Sequence, residues 1–351
     1  MAEKIKKITG MRLFMPIVCL FIVLLVNVIR TPDFFNITLK DGQLSGWLID
    51  VINRGSELVI LAIGMTLVTA ASGGQDISVG AVMAVAAAVC CQILSGGEVS
   101  TNTLAAPIII AAIAGILVAA LCGAFNGFLV AKLNIQPMVA TLILFTAGRG
   151  IAQLVTQGQI TYVRVESYKA MGGFLGPIPP PVIFAVAAVI VAYLVLNKTA
   201  LGMYIESVGI NSHASRLIGL NSTRIKFLTY VICGALAGLA GIVASSRIYS
   251  ADANNIGLNL EMDAILAVAL GGNILSGGKF SLMGSVIGAY TIQALTTTLY
   301  AMSVPSDQLP VYKAIVVIII VVLQSPVYKK AMQNYKAKRQ SKKAVVQGGE
   351  Q

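Results

Sequence analysis

Apolar residues fall in long blocks, with polar residues between the blocks rather than inside them. The first block runs from Leu13 to Ile29 and stops at Arg30-Thr31-Pro32. Others cover 56–71, 77–95, 104–131, 138–156, 182–196, 227–246, 262–275, 281–300 and 311–325. Lipid-facing backbone must satisfy its own hydrogen bonds, so these blocks are predicted to be helices and not barrel strands. A hydrocarbon core about 30 Å thick takes roughly 20 helical residues. Several blocks match one crossing, while 262–275 is short enough to be re-entrant. The pattern predicts an all-α, polytopic integral membrane protein with about ten transmembrane or re-entrant segments.

The intervals set a topology. Residues 30–55 hold Asp33, Asp41, Asp50 and the single tryptophan, Trp47, and are expected to form an external segment with a short interfacial helix. Residues 157–181, polar and then rich in Gly and Pro, suit an external loop, and 197–226 is the longest internal polar stretch. An even number of segments puts both termini on one side. Four basic residues in 1–12, Lys132, four in 197–226, Lys279 and seven in the tail account for 17 of the 25 Lys and Arg, all on the side assigned as internal. The positive-inside rule makes that side cytoplasmic. The division is a cytoplasmic N-tail (1–12), a membrane domain (13–325) and a basic cytoplasmic tail (326–351). No small-residue cleavage pattern follows the first block, so an uncleaved span is expected there.

The sharpest interruption lies between the second and third blocks, at Ser72-Gly73-Gly74-Gln75-Asp76. Paired glycines permit a helix to stop, and Asp76 can accept hydrogen bonds from the N–H groups opening the next one. At mid-membrane that carboxylate would cost roughly 2.5–3.5 kcal/mol. The charge distribution instead places the break near the internal face, where capping is cheap. The break has an echo. Ser72-Gly73-Gly74 is followed by Gly80 and Ala84, and Ser276-Gly277-Gly278 by Gly284 and Gly288, at equal spacing. Paired interruptions of this kind point to a transport pathway, with coincidence in a chain of 34 glycines as the alternative.

Composition agrees with the blocks. The chain is 57% hydrophobic and 11% charged, with mean hydropathy +0.84, against about 25% charged residues in soluble domains. The net charge of +11 lies beside apolar blocks, which argues against nucleic acid as a partner. Cys19, Cys90, Cys91, Cys122 and Cys233 all sit in apolar runs without metal-ligand spacing, so they read as packing residues.

Candidate chemistry is sparse. Ser-Gly-Gly-Gln at 72–75 looks like an ATPase signature, but there is no phosphate loop: Asn273 stands at the first glycine position and Phe280 replaces the Ser or Thr after Gly278-Lys279. His213, the only histidine, lies in a polar loop far from any nucleophile motif. No catalytic, metal or cofactor site is expected. Within the spans Arg149 stands out as the ionisable residue. It can snorkel, pair with a carboxylate or face the pathway. That scarcity favours an external energy source over ion coupling. The 204–226 loop reads as a short helix flanked by Gly209 and Gly219 with Ala214 at its centre, suited to a cytoplasmic partner or to a plain connector.

Three blocks carry a resemblance that covers roughly residues 13–325. GMTLVTAASGGQDISVGAVMA at 64–84 and EMDAILAVALGGNILSGGKFSLMGSVIGA at 261–289 are similar to the two signatures of the ribose-type permeases of bacterial ATP-binding cassette importers. GINSHASRLIGLNSTRIKFLTYVICGALAGLAG at 209–241 resembles their coupling-loop region. The stretches at 39–54, 135–160 and 249–268 resemble the galactofuranose permeases within that family. Gln75 departs from the usual Ile. The resemblance implies a permease subunit in the bacterial inner membrane that imports a monosaccharide, galactofuranose-like, with no enzymatic activity of its own. Its implied partners are a cytoplasmic ATP-binding cassette ATPase, a periplasmic or lipid-anchored sugar-binding protein and a second permease copy or close homologue. By position, Gly209, Asn211, Ala214 and Gly219 would meet the ATPase. Gly73, Gly74, Asp76, Ser78 and Gly80 would shape the first signature, and Gly271, Gly272, Ser276, Gly277 and Gly278 the second. A neutral sugar needs hydroxyl-pairing groups, for which Asn126, Gln153, Gln157 and Asn273 are the candidates, with Arg149 beside them. Permeases for ribose, nucleosides or branched-chain amino acids share this architecture, and an ion-coupled transporter is the alternative of another class.

Overall fold

The computed structural model describes residues 13–40, 42–174 and 176–324. The two terminal tails, Asp41 and Leu175 lie outside the described residues. Two compact units are present, divided after Met302.

In the first unit the helices are α1 (Phe14–Arg30), α2 (Trp47–Ser72), α3 (Val79–Ser95), α4 (Ile108–Ala131), α5 (Pro137–Val155), α6 (Glu166–Gly172), α7 (Pro180–Lys198), α8 (Leu201–Ile210), α9 (Ser212–Leu217), α10 (Ser222–Arg247), α11 (Leu260–Leu270) and α12 (Leu282–Ala301). The described part of the second unit carries α13 (Leu309–Gln324). Each apolar block has its helix, and among the described residues five helices are long and apolar enough to cross a membrane: α2, α4, α5, α7 and α10. At 1.5 Å per residue, α11 with its 11 residues reaches only about 16 Å, half a bilayer.

Two expectations need correction. From Trp47 on, the external segment with a short interfacial helix expected over 30–55 and the span expected over 56–71 are one continuous 26-residue helix, α2. The stretch 157–181, expected as an external loop, is not a plain loop: α6 packs on α10, and Tyr168 is fully buried, its hydroxyl 2.6 Å from Ser245 Oγ. Small strands also occur. β1 (Thr38–Lys40) and β2 (Gln43–Ser45) form a hairpin. β3 (Ser100–Thr101), β4 (Thr161–Val163) and β5 (Ser250–Ala251) join three loops in one sheet, β3 parallel and β5 antiparallel to β4.

Helix α2 is the axis of the bundle, with 94% of its most apolar window buried, against 22% for α4. It packs antiparallel to α10 and α12, with Gly64 against Cys233 and Gly55 against Tyr290. Helices α4, α5 and α7 lie outside. On α4, Ile109, Ile113, Leu117 and Leu121 recur every four residues and remain exposed, the stripe a lipid-facing helix presents. Its other face closes on α10, where Gly123 comes so near that a Cβ would overlap the Tyr230 carbonyl oxygen. Small residues let two helices approach backbone to backbone. No disulfide joins the five cysteines among the described residues, and all but Cys122 are buried.

Candidate functional site

Both helix breaks sit at the same end of the bundle, in contact with each other. Helix α2 stops on Gly73, whose φ of +66° is the left-handed cap that glycine adopts without strain. A Cβ on Gly73 would come 2.7 Å from the Ser276 carbonyl oxygen. Gly74 lies under Pro137, the first residue of α5. The echoed glycines share a target as well: Gly80 lies against Gly257 and Glu261, and Gly284 and Gly288 lie against Gly271 and Ala267, so both helices that follow a break press on α11 and its lead-in.

Each break is organised by buried amides and hydroxyls. Asp76 Oδ1 accepts from Ser78 N at 2.9 Å and from Ser78 Oγ at 2.6 Å, while Asn126 Nδ2 donates to Ser78 Oγ at 2.8 Å and reaches Asp76 at 3.4 Å. Ser78 is the N-cap of α3, so Asp76 holds the turn that presents the cap and does not cap the helix itself. It is also only 2% exposed, which corrects the expectation of a carboxylate placed cheaply near a surface. Four hydrogen-bonding approaches stand in for water there. In the second break Asn273 Oδ1 accepts from Ser281 N at 2.6 Å, and its Nδ2 donates to Ser285 Oγ at 2.7 Å. Thr66 Oγ1 of α2 meets that same Ser285 Oγ at 2.6 Å.

The 204–226 segment lies at this end of the bundle. Asn211 accepts from His213 N and Ala214 N, both at 3.0 Å, and so caps α9. Asn221 caps α10 by accepting from Arg224 N. Ala214, Gly219 and His213 are exposed. Beside them Leu217 and Ile218 are 89% and 75% exposed, an apolar knob among the basic residues of this end. Lys132, Lys198, Arg216, Arg224, Lys226 and Lys279 all belong to the helix ends and turns of this end.

A second cluster lies farther along α5. Arg149 stands about 18 Å from the start of that helix, at 1.5 Å per residue. Its Nη1 donates to the carbonyls of Ala253, Asn254 and Ile256 at 2.9–3.0 Å, and Gln153 Nε2 donates to Asn254 Oδ1 at 2.6 Å. Irregular backbone at membrane depth survives only where its polar groups find partners or line a cavity. Arg149 and Gln153 supply those partners for the 252–259 segment, which Asp252 also ties through Asn254 N and Asn255 N. Gly80 must be a glycine here, because Glu261 Oε2 and the Gly257 carbonyl occupy the place of a Cβ. Outward from this clamp, Thr146, Gly150, Gln153 and Gln157 form an exposed stripe, and Asn254, Asn255 and Asn259 are exposed. A shallow groove is lined by the apolar Ala147, Ile151 and Leu154 together with Gly150, Gln153, Gln157 and Gly158.

The five pathway candidates therefore divide. Arg149 and Gln153 share the α5 face, with Gln157 in the turn just past its end, and Asn126 and Asn273 are engaged inside the two breaks. Arg149 is not alone among ionisable residues within the bundle: Glu57, Asp76 and Glu261 are buried too, and Arg247 is largely so. Asp76, Glu261 and Arg247 stand at helix ends, where a linear reading assigns charges to loops, whereas Glu57 lies within α2. Arg247 Nη1 pairs with Glu57 Oε1 at 2.9 Å and also bonds Asn53 and Gly172, tying α2, α6 and α10 together.

Comparison with known proteins agrees with this architecture. Residues 47–324 match the model of the family described as branched-chain amino acid transport system / permease component. The chain is 46% identical over 310 residues to the galactofuranose transporter permease of Escherichia coli K12, covering 88% of each chain. It is 39% identical over 342 residues to a fructose import permease of Bifidobacterium longum, covering 95% of this chain and 94% of that one. It is 33% identical over 314 residues to the ribose import permease of Escherichia coli K12, covering 88% and 92%. No solved structure matches the chain. A helical bundle with two joined helix breaks, a short capped helix at its basic end and these relatives over nearly its whole length belongs to the ribose-type permease family of ATP-binding cassette importers.

Proposed function

We propose that the protein is the permease subunit of an importer for a monosaccharide of the galactofuranose type, in the inner membrane with both termini cytoplasmic. The observation that carries the substrate class is the exposed α5 face: Thr146, Gln153 and Gln157, beside Asn254, Asn255 and Asn259, offer neutral donors and acceptors. Amides and hydroxyls pair with sugar hydroxyls without demanding a charge. The same face would meet lipid unless a second permease copy covers it, and the pathway would run between the two. A zwitterionic amino acid would call for a charged receptor, whereas Arg149 spends its Nη1 on three backbone carbonyls.

Energy would enter at the basic end. Leu217 and Ile218 would seat in a cytoplasmic ATPase, with Ala214 in the contact and Asn211 fixing the fold of α9. A periplasmic or lipid-anchored binding protein would deliver sugar at the opposite end, near the β3–β4–β5 sheet. The breaks, with Asp76, Ser78 and Asn126 in one and Asn273 in the other, would stiffen the core near the inner gate.

Uptake of labelled galactose in its furanose form by cells carrying the complete importer tests the substrate. The proposal expects excess unlabelled galactofuranose to abolish uptake, and fructose, ribose and leucine to compete at least tenfold less well. Competition by leucine or a nucleoside at equal concentration contradicts it.

A further inference from the structure

The C-terminal end of α8 meets both helix breaks at one point. Gly278 N donates to the Ala70 carbonyl at 2.9 Å, so the second break is hydrogen-bonded directly to the last turn of α2. Gly209 lies over that bond: a Cβ there would overlap the Ala70 carbonyl oxygen and sit 2.5 Å from Gly278 N. A Cβ on Gly277 would come 3.0 Å from Gly73 Cα and 3.2 Å from the Gly209 carbonyl oxygen. Four glycines and Ala70 thus bring three chain segments together backbone to backbone. Side chains can change rotamer to absorb a displacement, but backbone in contact with backbone cannot. A shift of α8 and α9 must move both breaks together or tear the Ala70–Gly278 bond.

We infer that Gly209 is the joint that transmits movement of the α8–α9 segment to both helix breaks at once, and that it acts inside the permease rather than in the surface the ATPase touches. This rests on the permease reading. As a positioning residue, its effect is expected in the coupling between ATP hydrolysis and transport.

The test uses the complete importer in proteoliposomes, reading assembly, ATP hydrolysis and sugar uptake together. Gly209→Ala is expected to leave the ATPase bound and hydrolysing, with uptake down and ATP consumed per sugar up at least tenfold. A wedge from the other side provides a second route should that variant fail to accumulate. A Cβ on Gly278 would come 2.9 Å from Ile210 Cγ1, and Ile210→Ala removes that atom. Gly278→Ala is expected to raise the same ratio, through that contact and because its φ of +95° strains any L side chain, and adding Ile210→Ala to lower it in part. An unchanged ratio in these variants, or hydrolysis and uptake falling in proportion with loss of assembly, overturns the inference. A wild-type complex that transports without consuming ATP overturns the permease reading itself.

Discussion

Ser78 Oγ donates to Asp76 Oδ1 at 2.6 Å, and Ser78 N donates to the same oxygen at 2.9 Å, in a site 2% exposed at Asp76. One carboxylate oxygen therefore holds the turn between the two opening helices. Asparagine keeps an oxygen in that place and alanine does not. Asp76→Asn is expected to reach wild-type membrane levels, and Asp76→Ala to lose about 1–3 kcal/mol, the usual effect of stranding buried donors. Thermal unfolding in detergent reads the difference. Equal stability of the alanine variant and wild type would refute the structural role.

The Glu57–Arg247 pair, at 2.9 Å, joins the middle of the molecule to α6. Arg247→Met leaves Glu57 buried without its cation, which typically costs about 3–5 kcal/mol. Adding Glu57→Met removes the stranded charge, so the double variant should be more stable than Arg247→Met alone. Detergent melting of the two variants checks this, and a double variant less stable than the single contradicts the pairing.

Ala214→Arg places a long cation on the exposed face of α9 without disturbing the Asn211 cap, which uses only the Ala214 backbone N–H. Membrane insertion should be normal, and co-purification of the ATPase and sugar uptake should both be lost. Normal uptake would remove α9 from the docking surface.

Gly150 faces open space, since a Cβ there meets nothing within 4 Å. Gly150→Leu should therefore fold and insert as wild type while lowering uptake at least tenfold, because the added side chain fills the groove on the α5 face. Undiminished uptake would move the pathway elsewhere.

The apolar blocks located the membrane helices because burial in lipid writes length and apolarity directly into sequence. The continuity of α2 through Asp50, Asn53 and Arg54 was not legible. Those residues look like loop, and the guanidinium that satisfies Asn53 and Glu57 lies about 190 residues away in sequence. The β3–β4–β5 sheet escaped for a similar reason: its strands are two or three residues long and come from three separate loops. The equal spacing of the two Ser-Gly-Gly breaks did signal a relationship, and the structure adds that they touch. Polar residues inside apolar runs marked Asn126 and Asn273 as special. Which partners hold them depends on packing, and both are engaged within the breaks and not on the exposed face with Gln153.

ATP-driven accumulation of sugar is the property on which the account turns. Proteoliposomes holding the permease, its ATPase and its binding protein should concentrate galactofuranose when ATP is supplied and fail to do so with a non-hydrolysable analogue. Accumulation driven by a proton or sodium gradient, by the permease alone without ATP, would contradict it.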